Sequence, residues 1–148
     1  ETAYFLDLRH RSEKPVAVVG ALRNSSELGW DGPANLEAAT RAVIDPEARG
    51  QGVFVVLNDT VHAASEATKT DTQALDTFQS PVFGPLALLE KDRICWRRRQ
   101  TRRRTVRGET FEPRVDLFTM YAGFDPRLID YAVASGARGL VIEGTGRG

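Results

Sequence analysis

The segment with the clearest capacity for chemistry is residues 68–72, TKTDT, in which one lysine stands among three threonines. It follows residues 53–57, VFVVL, a short β-branched run that is typical of a strand buried on both faces. In open parallel sheets, reactive groups lie beyond the carboxyl ends of the strands, so Lys69 is expected near such an edge. A lysine is more often an ordinary solvated residue, and from spacing alone both interpretations of Lys69 stay open.

The other polar residues offer no recognisable metal, nucleotide or nucleophilic-serine site. The chain has two histidines and one cysteine, which give no metal-ligand spacing. No phosphate-binding glycine motif follows a strand, and no Ser-His-Asp elbow is visible. His62 is interpreted as a surface histidine, while Asp59, Asp71 and Asp76 are typical of loop caps and ion-pair partners. The sequence therefore predicts no metal and no cofactor.

Composition is that of a globular chain without charge bias. Its 148 residues suffice for about one ordinary domain, and 41% of them are apolar. Lysine plus arginine equals aspartate plus glutamate at 20 each, which argues against a general nucleic-acid or membrane-surface partner. No run approaches the roughly 18 apolar residues of a membrane span, and no signal peptide is visible. The single cysteine, Cys95, excludes an internal disulfide and fits a reducing compartment, so a cytoplasmic location is expected.

Alternating helix and strand patterns over residues 1–96 predict a partial α/β domain with three layers, in which helices cover a parallel sheet. The predicted elements are a helix over 1–8, a strand over 16–19, a helix over 34–44, the strand over 53–57 and a hairpin over 86–96. The side chains expected to be buried are Tyr4, Phe5 and Leu8 in the first helix and Leu36, Ala39, Ala42 and Val43 in the second. Asp31 is expected to be the N-cap of the second helix.

The pattern changes after residue 96. Residues 97–107 hold seven arginines, which fits either a basic patch for nucleic acid or acidic partners, or a solvated linker. The linker, extended to 97–113, is favoured because no aromatic residue is interleaved with the arginines. Residues 114–148 then have the order strand, helix, strand, which predicts the start of a second, smaller α/β domain.

Several segments, in this order, resemble the bacterial-type L-asparaginase family. In the first domain they are VGALR (19–23), DGPANL (31–36), GVFVVLND (52–59), ATKT (67–70), TFQSP (77–81) and FGPL (83–86). In the second domain they are YAG (121–123) and EGTGRG (143–148). Each motif is modest alone, but their order and spacing together are specific. The resemblance covers nearly the whole chain, and the arginine-rich stretch is its weakest part.

The resemblance implies an amidohydrolase that acts on L-asparagine, and in some members on L-glutamine, without a metal or nucleotide. The lysine of the family's Thr-Lys-Thr motif falls on Lys69, where it belongs to a Thr-Lys-Asp catalytic group. Its implied role is to help activate a nucleophilic threonine, because a hydroxyl alone is a poor nucleophile. The residue matching Ala21 contacts the substrate amide through its backbone. The family generally forms dimers that pair into tetramers, so a homodimer or homotetramer is implied for the complete protein.

The family's nucleophile motifs do not occur in this chain. The Thr-Gly-Gly-Thr and His-Gly-Thr-Asp-Thr motifs are expected before Glu1, so we interpret the chain as an internal segment of a longer asparaginase. By itself the segment is expected to release no ammonia from asparagine. Asp71, Gly123 and Arg147 also depart from common family residues, which leaves the preference between asparagine and glutamine open.

Two alternatives to an asparaginase stay open. One is an amidase subunit related to the glutamyl-tRNA amidotransferases, which share the fold. The other is a truncated, non-catalytic interaction module that binds through the arginines of 97–107. An RNA titration at low salt distinguishes the second alternative, because arginine–phosphate contacts are strongest there.

Overall fold

The computed structural model describes residues 1–101, 103–108 and 110–146 of the chain. Parts of two segments singled out in the sequence lie outside the described residues. They are Arg102 of the arginine-rich stretch (97–107) and Arg147 and Gly148 of the EGTGRG motif (143–148). The chain divides into two units, Glu1–Arg107 and Gly108–Gly148. The assignment of domains to 1–96 and 114–148, with a linker at 97–113, stays a prediction.

The described part of the first unit combines two α-helices and a short 3₁₀ helix (Pro46–Ala48) with seven short strands. In chain order the α-helices and strands are α1 (Thr2–Arg9), β1 (Val16–Val19), α2 (Gly32–Ile44), β2 (Val53–Leu57), β3 (Thr60–Ala63), β4 (Thr68–Lys69), β5 (Phe78–Gln79), β6 (Ala87–Leu89) and β7 (Ile94–Trp96). Five strands form one sheet in the order β1-β2-β3-β6-β7, and β4 and β5 form a separate hairpin. β1 and β2 are parallel, and the other neighbours in the sheet are antiparallel. The predicted α/β class is confirmed, with a sheet that is mixed rather than parallel throughout.

The central strand β2 is buried over its whole length, as its apolar run predicts. Successive side chains of a strand point to opposite faces of the sheet. Phe54 and Val56 pack with the alanines of α2. Val53 and Val55 pack with Ala3 of α1. Helices therefore cover both faces of the sheet at β2, and burial of each large apolar side chain there stabilises the fold by about 1.5–3 kcal/mol.

The face of α1 that apolar spacing predicts to be buried is largely exposed instead. Tyr4 and Phe5 are 40% and 48% exposed, whereas Asp7 is only 1% exposed. The Asp7 carboxylate accepts hydrogen bonds from the Val53 N–H and from Arg103 Nε, each at 2.9 Å. These partners lie 46 and 96 residues away in the chain, so helical periodicity could not reveal them.

Helix α2 begins two residues before the predicted start at residue 34, and its predicted inner face is only partly correct. Ala39 and Ala42 are buried as predicted, whereas Leu36 is 60% exposed and Asn35 is buried in its place. The Asn35 side chain donates to the Gly20 carbonyl at 3.0 Å and accepts from the Asn58 N–H at 2.9 Å. These polar contacts turn Asn35 toward the sheet and leave Leu36 on the outer face.

The chain reverses direction directly after β2. Asn58 and Asp59 have φ angles of +47° and +55°, the left-handed conformation that asparagine and aspartate adopt more readily than most residues. A two-residue turn of this kind joins antiparallel strands. β3 therefore pairs with β2, and the register sets His62 opposite Val55.

The arginine-rich stretch packs within the first unit, although the linker interpretation expects solvated side chains. Arg98 forms an ion pair with Glu66, and their side chains are 25% and 17% exposed. Arg103 forms an ion pair with Asp7, and their side chains are 15% and 2% exposed. The Val106 N–H also donates to a carbonyl of α1 at 2.8 Å. At least these arginines act as structural partners within the first unit.

The second unit has the strand, helix, strand order that the sequence predicts. It contains β8 (Val115–Thr119), α3 (Arg127–Ala134) and β9 (Gly139–Glu143). β8 and β9 are parallel neighbours, with α3 in the connection between them. Across the described part of both units, no helix is long and apolar enough to cross a membrane.

Candidate active site

A cavity of about 260 Å³ opens where β1 and β2 end. Because these two strands are parallel, their carboxyl ends meet at one edge of the sheet, the edge where α/β proteins place reactive groups. Both strands, the start of α1 and the chain at the β4–β5 hairpin line the cavity. The lining residues are Glu1, Thr2, Ala3, Val18, Val19, Gly20, Val55, Leu57, Ala64, Ala67 and Phe78. The walls are mostly apolar, and the Gly20 backbone is at the rim.

A larger groove of about 480 Å³ lies at the other end of β1. Its walls include Glu13, Pro15, Asp45 and Arg49. Three of the charged groups there already have partners, since Arg49 pairs with Glu13 at 3.4 Å and Asp45 accepts from the indole N–H of Trp96 at 3.1 Å. The smaller cavity is therefore the better candidate for chemistry.

Lys69 lies on the hairpin beside the smaller cavity. It is exposed on β4 and pairs across the hairpin with Phe78, which lines the cavity together with Ala67. The described residues that line the cavity do not include Lys69 itself. The hairpin is held by Thr77, whose carbonyl accepts from the Thr70 N–H at 2.8 Å and from Thr70 Oγ1 at 2.9 Å. Thr77 is 1% exposed, so the position of the strand that carries Lys69 is well fixed.

Asp71 caps the loop that follows Lys69. Its carboxylate accepts hydrogen bonds from the Gln73 N–H at 2.7 Å and from the Ala74 N–H at 2.9 Å. These two backbone bonds, with a smaller contribution from the positive charge of Lys69, lower the pKa of Asp71 below its usual value of 3.8. Asp71 therefore stays ionised, and it serves as the loop cap that the sequence suggests. No ion pair joins it to Lys69 among the described residues.

Ala21 lies in the exposed loop directly after β1. It lines an apolar depression of about 380 Å³ together with Trp30, Pro33 and Leu36. Gly20 lines both this depression and the cavity at the ends of β1 and β2. The structure thus brings the immediate neighbours of Lys69 and Ala21 to one cavity, while neither predicted site residue is among those that line it.

Asp31 is the N-cap residue of α2, as predicted, but its side chain has a different role. Its side chain makes no capping bond to α2. Instead it accepts hydrogen bonds from the Leu22 N–H at 3.0 Å and the Arg23 N–H at 2.9 Å, in the loop that contains Ala21. Burial opposes the ionised form, but the bonds from Arg23, Leu22 and the Asn35 amide together lower the pKa of Asp31 below 3.8. The segment DGPAN (31–35) was the signal in the sequence for this role of Asp31. The spacing of its residues does not reveal which backbone N–H groups the Asp31 side chain binds.

His62 is buried, so its interpretation as a surface histidine is wrong. It is 1% exposed, because β3 lies between β2 and β6 in the sheet. Its Nδ1 lies 2.9 Å from Ser80 Oγ, and among the described residues its Nε2 has no hydrogen-bond partner. Burial lowers the pKa of His62 below its usual value of 6.5, the charge of Arg98 lowers it further, and Glu66 opposes the shift.

This buried histidine is expected to make folding stability depend on pH near neutrality. The unfolded chain takes up a proton on His62 near pH 6.5, whereas the folded chain with its lowered pKa does not. Below that pH the unfolded state binds more protons, so the free energy of unfolding should fall as pH drops, by at most about 1.4 kcal/mol per pH unit. Chemical denaturation at several pH values between about 5 and 7.5 measures this slope.

The variant His62→Gln should lose most of that slope, whereas His10→Gln, which replaces the only other histidine, should retain it. Equal slopes in the wild type and in His62→Gln would show that His62 does not titrate differently in the folded and unfolded states.

The described residues contain no group of three histidine, cysteine, aspartate or glutamate side chains placed to hold a metal ion. What the cavity region does present is an apolar pocket, an open loop backbone and an exposed amine on a fixed hairpin.

Comparison with known proteins agrees with the ordered motifs. Residues 1–102 match the family model described as Asparaginase, N-terminal. The chain belongs to the asparaginase family. The sheet edge with its cavity, the loop with Ala21 and the hairpin with Lys69 all lie within the part that matches this asparaginase model.

Named asparaginases match along the whole chain. Over 154 aligned residues it is 40% identical to L-asparaginase 2 of Bacillus subtilis (strain 168), covering 100% of this chain and 41% of that protein. It is 37% identical to L-asparaginase 2 of Escherichia coli (strain K12) and 35% identical to a probable periplasmic L-asparaginase of Haemophilus influenzae, covering 100% of this chain and 44% of each of those proteins. The chain therefore spans less than half the length of these asparaginase relatives.

Proposed function

We propose that this chain forms part of an L-asparaginase, which hydrolyses the side-chain amide of L-asparagine to L-aspartate and ammonia. The observation that carries the proposal is the cavity at the ends of β1 and β2, with Gly20 on one side and Ala67 and Phe78 on the other. Membership of the asparaginase family and the names of its relatives support the same activity. The nucleophile is a threonine outside this chain.

Lys69 is the catalytic side chain that this chain contributes. In the proposed reaction, a threonine hydroxyl attacks the amide carbon and the Lys69 amine takes up the hydroxyl proton. The proton is then passed to the amide nitrogen, the C–N bond breaks and ammonia leaves, which gives an ester of the threonine. Water then hydrolyses the ester and frees the threonine. A lysine can accept a proton only as a neutral amine, which desolvation favours. Lys69 is exposed in this chain, so its desolvation has to come from the bound substrate and from protein beyond these residues.

Ala21 contributes its backbone to the binding of the substrate amide. It suits this role because it lies in the loop at the end of β1, next to Gly20 on the cavity rim. Its side chain is a single methyl group, which leaves the peptide unit accessible. L-glutamine is proposed as a second substrate, since it carries the same amide on a longer side chain.

The direct test is ammonia release by the full-length native polypeptide that contains this chain, after its intact mass has been measured. L-asparagine should give ammonia, L-glutamine is assayed beside it, and D-asparagine provides the stereochemical control. The 148-residue chain assayed alone should give none. Absence of ammonia from both L-amides with the full-length polypeptide would contradict the proposed function.

The interaction-module alternative loses its main support in the structure. This alternative requires the arginines of residues 97–107 to bind nucleic acid. Within that stretch, Arg98 already pairs with Glu66, and Arg103 already pairs with Asp7. An arginine engaged in a partly buried ion pair is poorly placed to bind a phosphate as well. No nucleic-acid partner is therefore included in the proposed function.

Assembly and location also belong to the proposal. The complete protein is proposed to be a homodimer or homotetramer, on the basis of the family resemblance. A cytoplasmic location rests on the single free cysteine, Cys95, although one relative carries the word periplasmic in its name.

A further inference from the structure

The loop after β1 is held by a carboxylate at the start of α2. Asp31 accepts from the Leu22 N–H through both oxygens, at 3.1 and 3.0 Å, and from the Arg23 N–H at 2.9 Å. Two successive backbone donors thus converge on one side chain. This is an unusual use of a residue at a helix N-cap, which ordinarily accepts from its own helix.

Asn35 extends the same network to the turn after β2. Its side-chain amide donates to Asp31 Oδ2 at 2.8 Å and to the Gly20 carbonyl at 3.0 Å. Its side-chain oxygen accepts from the Asn58 N–H at 2.9 Å. Asn35 is 3% exposed, so its orientation is set by these bonds and by packing. The network therefore joins the loop after β1, the first turn of α2 and the β2–β3 turn.

Within residues 20–23, Ala21 is the residue whose backbone N–H and carbonyl take no part in this network. The carbonyl before it, on Gly20, and the N–H groups after it, on Leu22 and Arg23, are all engaged. No hydrogen bond joins the Ala21 N–H or carbonyl to any residue that the structure describes. A backbone that is fixed on both sides and open in the middle is preorganised to bind a polar ligand.

We propose that Asp31 and Asn35 are positioning residues, which hold the main chain of residues 20–23 so that Ala21 presents its backbone to the substrate amide. This inference rests on the proposed function, because it assigns a substrate contact to Ala21. Neither side chain takes part in bond making. They act by keeping the loop in its binding conformation before substrate arrives.

The variant Asp31→Asn tests the proposal with almost no change of volume. An amide oxygen at the Oδ1 position can still accept from the Leu22 and Arg23 N–H groups, but the NH₂ group at the Oδ2 position then faces the Leu22 N–H and the Asn35 amide, which are both donors. The negative charge that strengthens the backbone bonds is also lost. In the full-length enzyme, kcat/KM for L-asparagine should fall by roughly tenfold or more, because misplacing a contact by about 1 Å can cost up to 10²-fold. KM should rise at least as much as kcat falls, since the lost function is substrate positioning.

Asp45→Asn is the matched control on the same helix. Asp45 follows the last residue of α2 and accepts from the Glu47 N–H at 2.8 Å, so it too is a carboxylate that binds backbone near a helix end. Replacement of the Asp45 carboxylate by an amide should lower the thermal unfolding temperature without changing KM for L-asparagine. A purely structural role for Asp31 predicts that both variants change stability alone, in which case the proposal is overturned.

Backbone amide exchange tests the geometry without any activity assay. In the wild type, the Leu22 and Arg23 amides should be protected, and in Asp31→Asn they should exchange roughly fivefold faster or more. Asp45→Asn should leave both rates unchanged. Unchanged rates in Asp31→Asn would overturn the proposal at its first step, and Asp31→Ala, which removes both acceptor oxygens, repeats the measurement.

Different results would contradict the positioning role of Asp31 and the proposed asparaginase function. If the wild-type enzyme hydrolyses L-asparagine but Asp31→Asn keeps kcat/KM within about twofold, the positioning role is wrong and the proposed function stands. If amide exchange responds as expected but the wild type hydrolyses neither amide, the proposed function is wrong and the assignment of a substrate to Ala21 fails with it.

Discussion

Replacement of Lys69 by alanine is expected to lower kcat for L-asparagine by about 10²–10⁴-fold in the full-length enzyme, the range typical of a lost acid–base group. The physical reason is that a threonine hydroxyl is a weak nucleophile unless a neighbouring base takes up its proton. Lys69 is exposed on β4, so its truncation removes little packing and should leave the thermal unfolding temperature unchanged. Steady-state kinetics and a thermal melt on the same sample measure both effects.

Lys91→Ala is the matched control for this experiment. Lys91 is also exposed, but it lies in the turn between β6 and β7. Its removal should change neither kcat nor KM. Near-normal turnover in Lys69→Ala would remove Lys69 from the mechanism, and an equal loss in both lysine variants would point to a general charge effect.

Replacement of Asp7 by alanine is expected to lower the free energy of unfolding by about 3–5 kcal/mol, the cost of breaking a buried ion pair by removing one partner. Asp7 is 1% exposed and binds both the Val53 N–H and the Arg103 guanidinium. Its loss leaves a partly buried arginine without its carboxylate and a backbone donor at the start of the central strand without an acceptor. Denaturant titration of each variant measures the difference.

Glu13→Ala supplies the comparison for Asp7→Ala. Glu13 also pairs with an arginine, Arg49, but the two side chains are 72% and 75% exposed. Exposed ion pairs of this kind contribute roughly 0–1 kcal/mol. If Asp7→Ala costs no more than Glu13→Ala, the Asp7–Arg103 pair does not hold the arginine-rich stretch to α1 with the strength inferred from its burial.

Much of the secondary structure followed from local sequence patterns. The apolar runs at 16–19 and 53–57 predicted β1 and β2, and the charged turn after residue 89 predicted the β6–β7 hairpin. The alternation after residue 114 predicted the order of β8, α3 and β9. These patterns succeed because helix and strand periodicities depend on neighbours only a few residues apart.

The candidate site was predictable only in part. The order of short motifs pointed to the asparaginase family and to Lys69 and Ala21 as site residues, and the family assignment is confirmed. The roles of these two residues stay predictions. The clamp on the loop after β1 was not predictable, because Asp31 was a plausible cap for its own helix and nothing in its spacing indicated that it would bind Leu22 and Arg23.

The sequence by itself determined the α/β class, the buried central strand and the family to which the chain belongs. Only the tertiary structure decided which polar side chains are buried, and there the sequence-based predictions for Tyr4 and Phe5 of α1, for Leu36 of α2 and for His62 were wrong. The reason is that a buried polar group needs a hydrogen-bond partner, and that partner is often far away along the chain. For Asp7 the partner is Arg103, 96 residues away, and for His62 it is Ser80 on another segment. Folding brings such partners together, and no local periodicity encodes them.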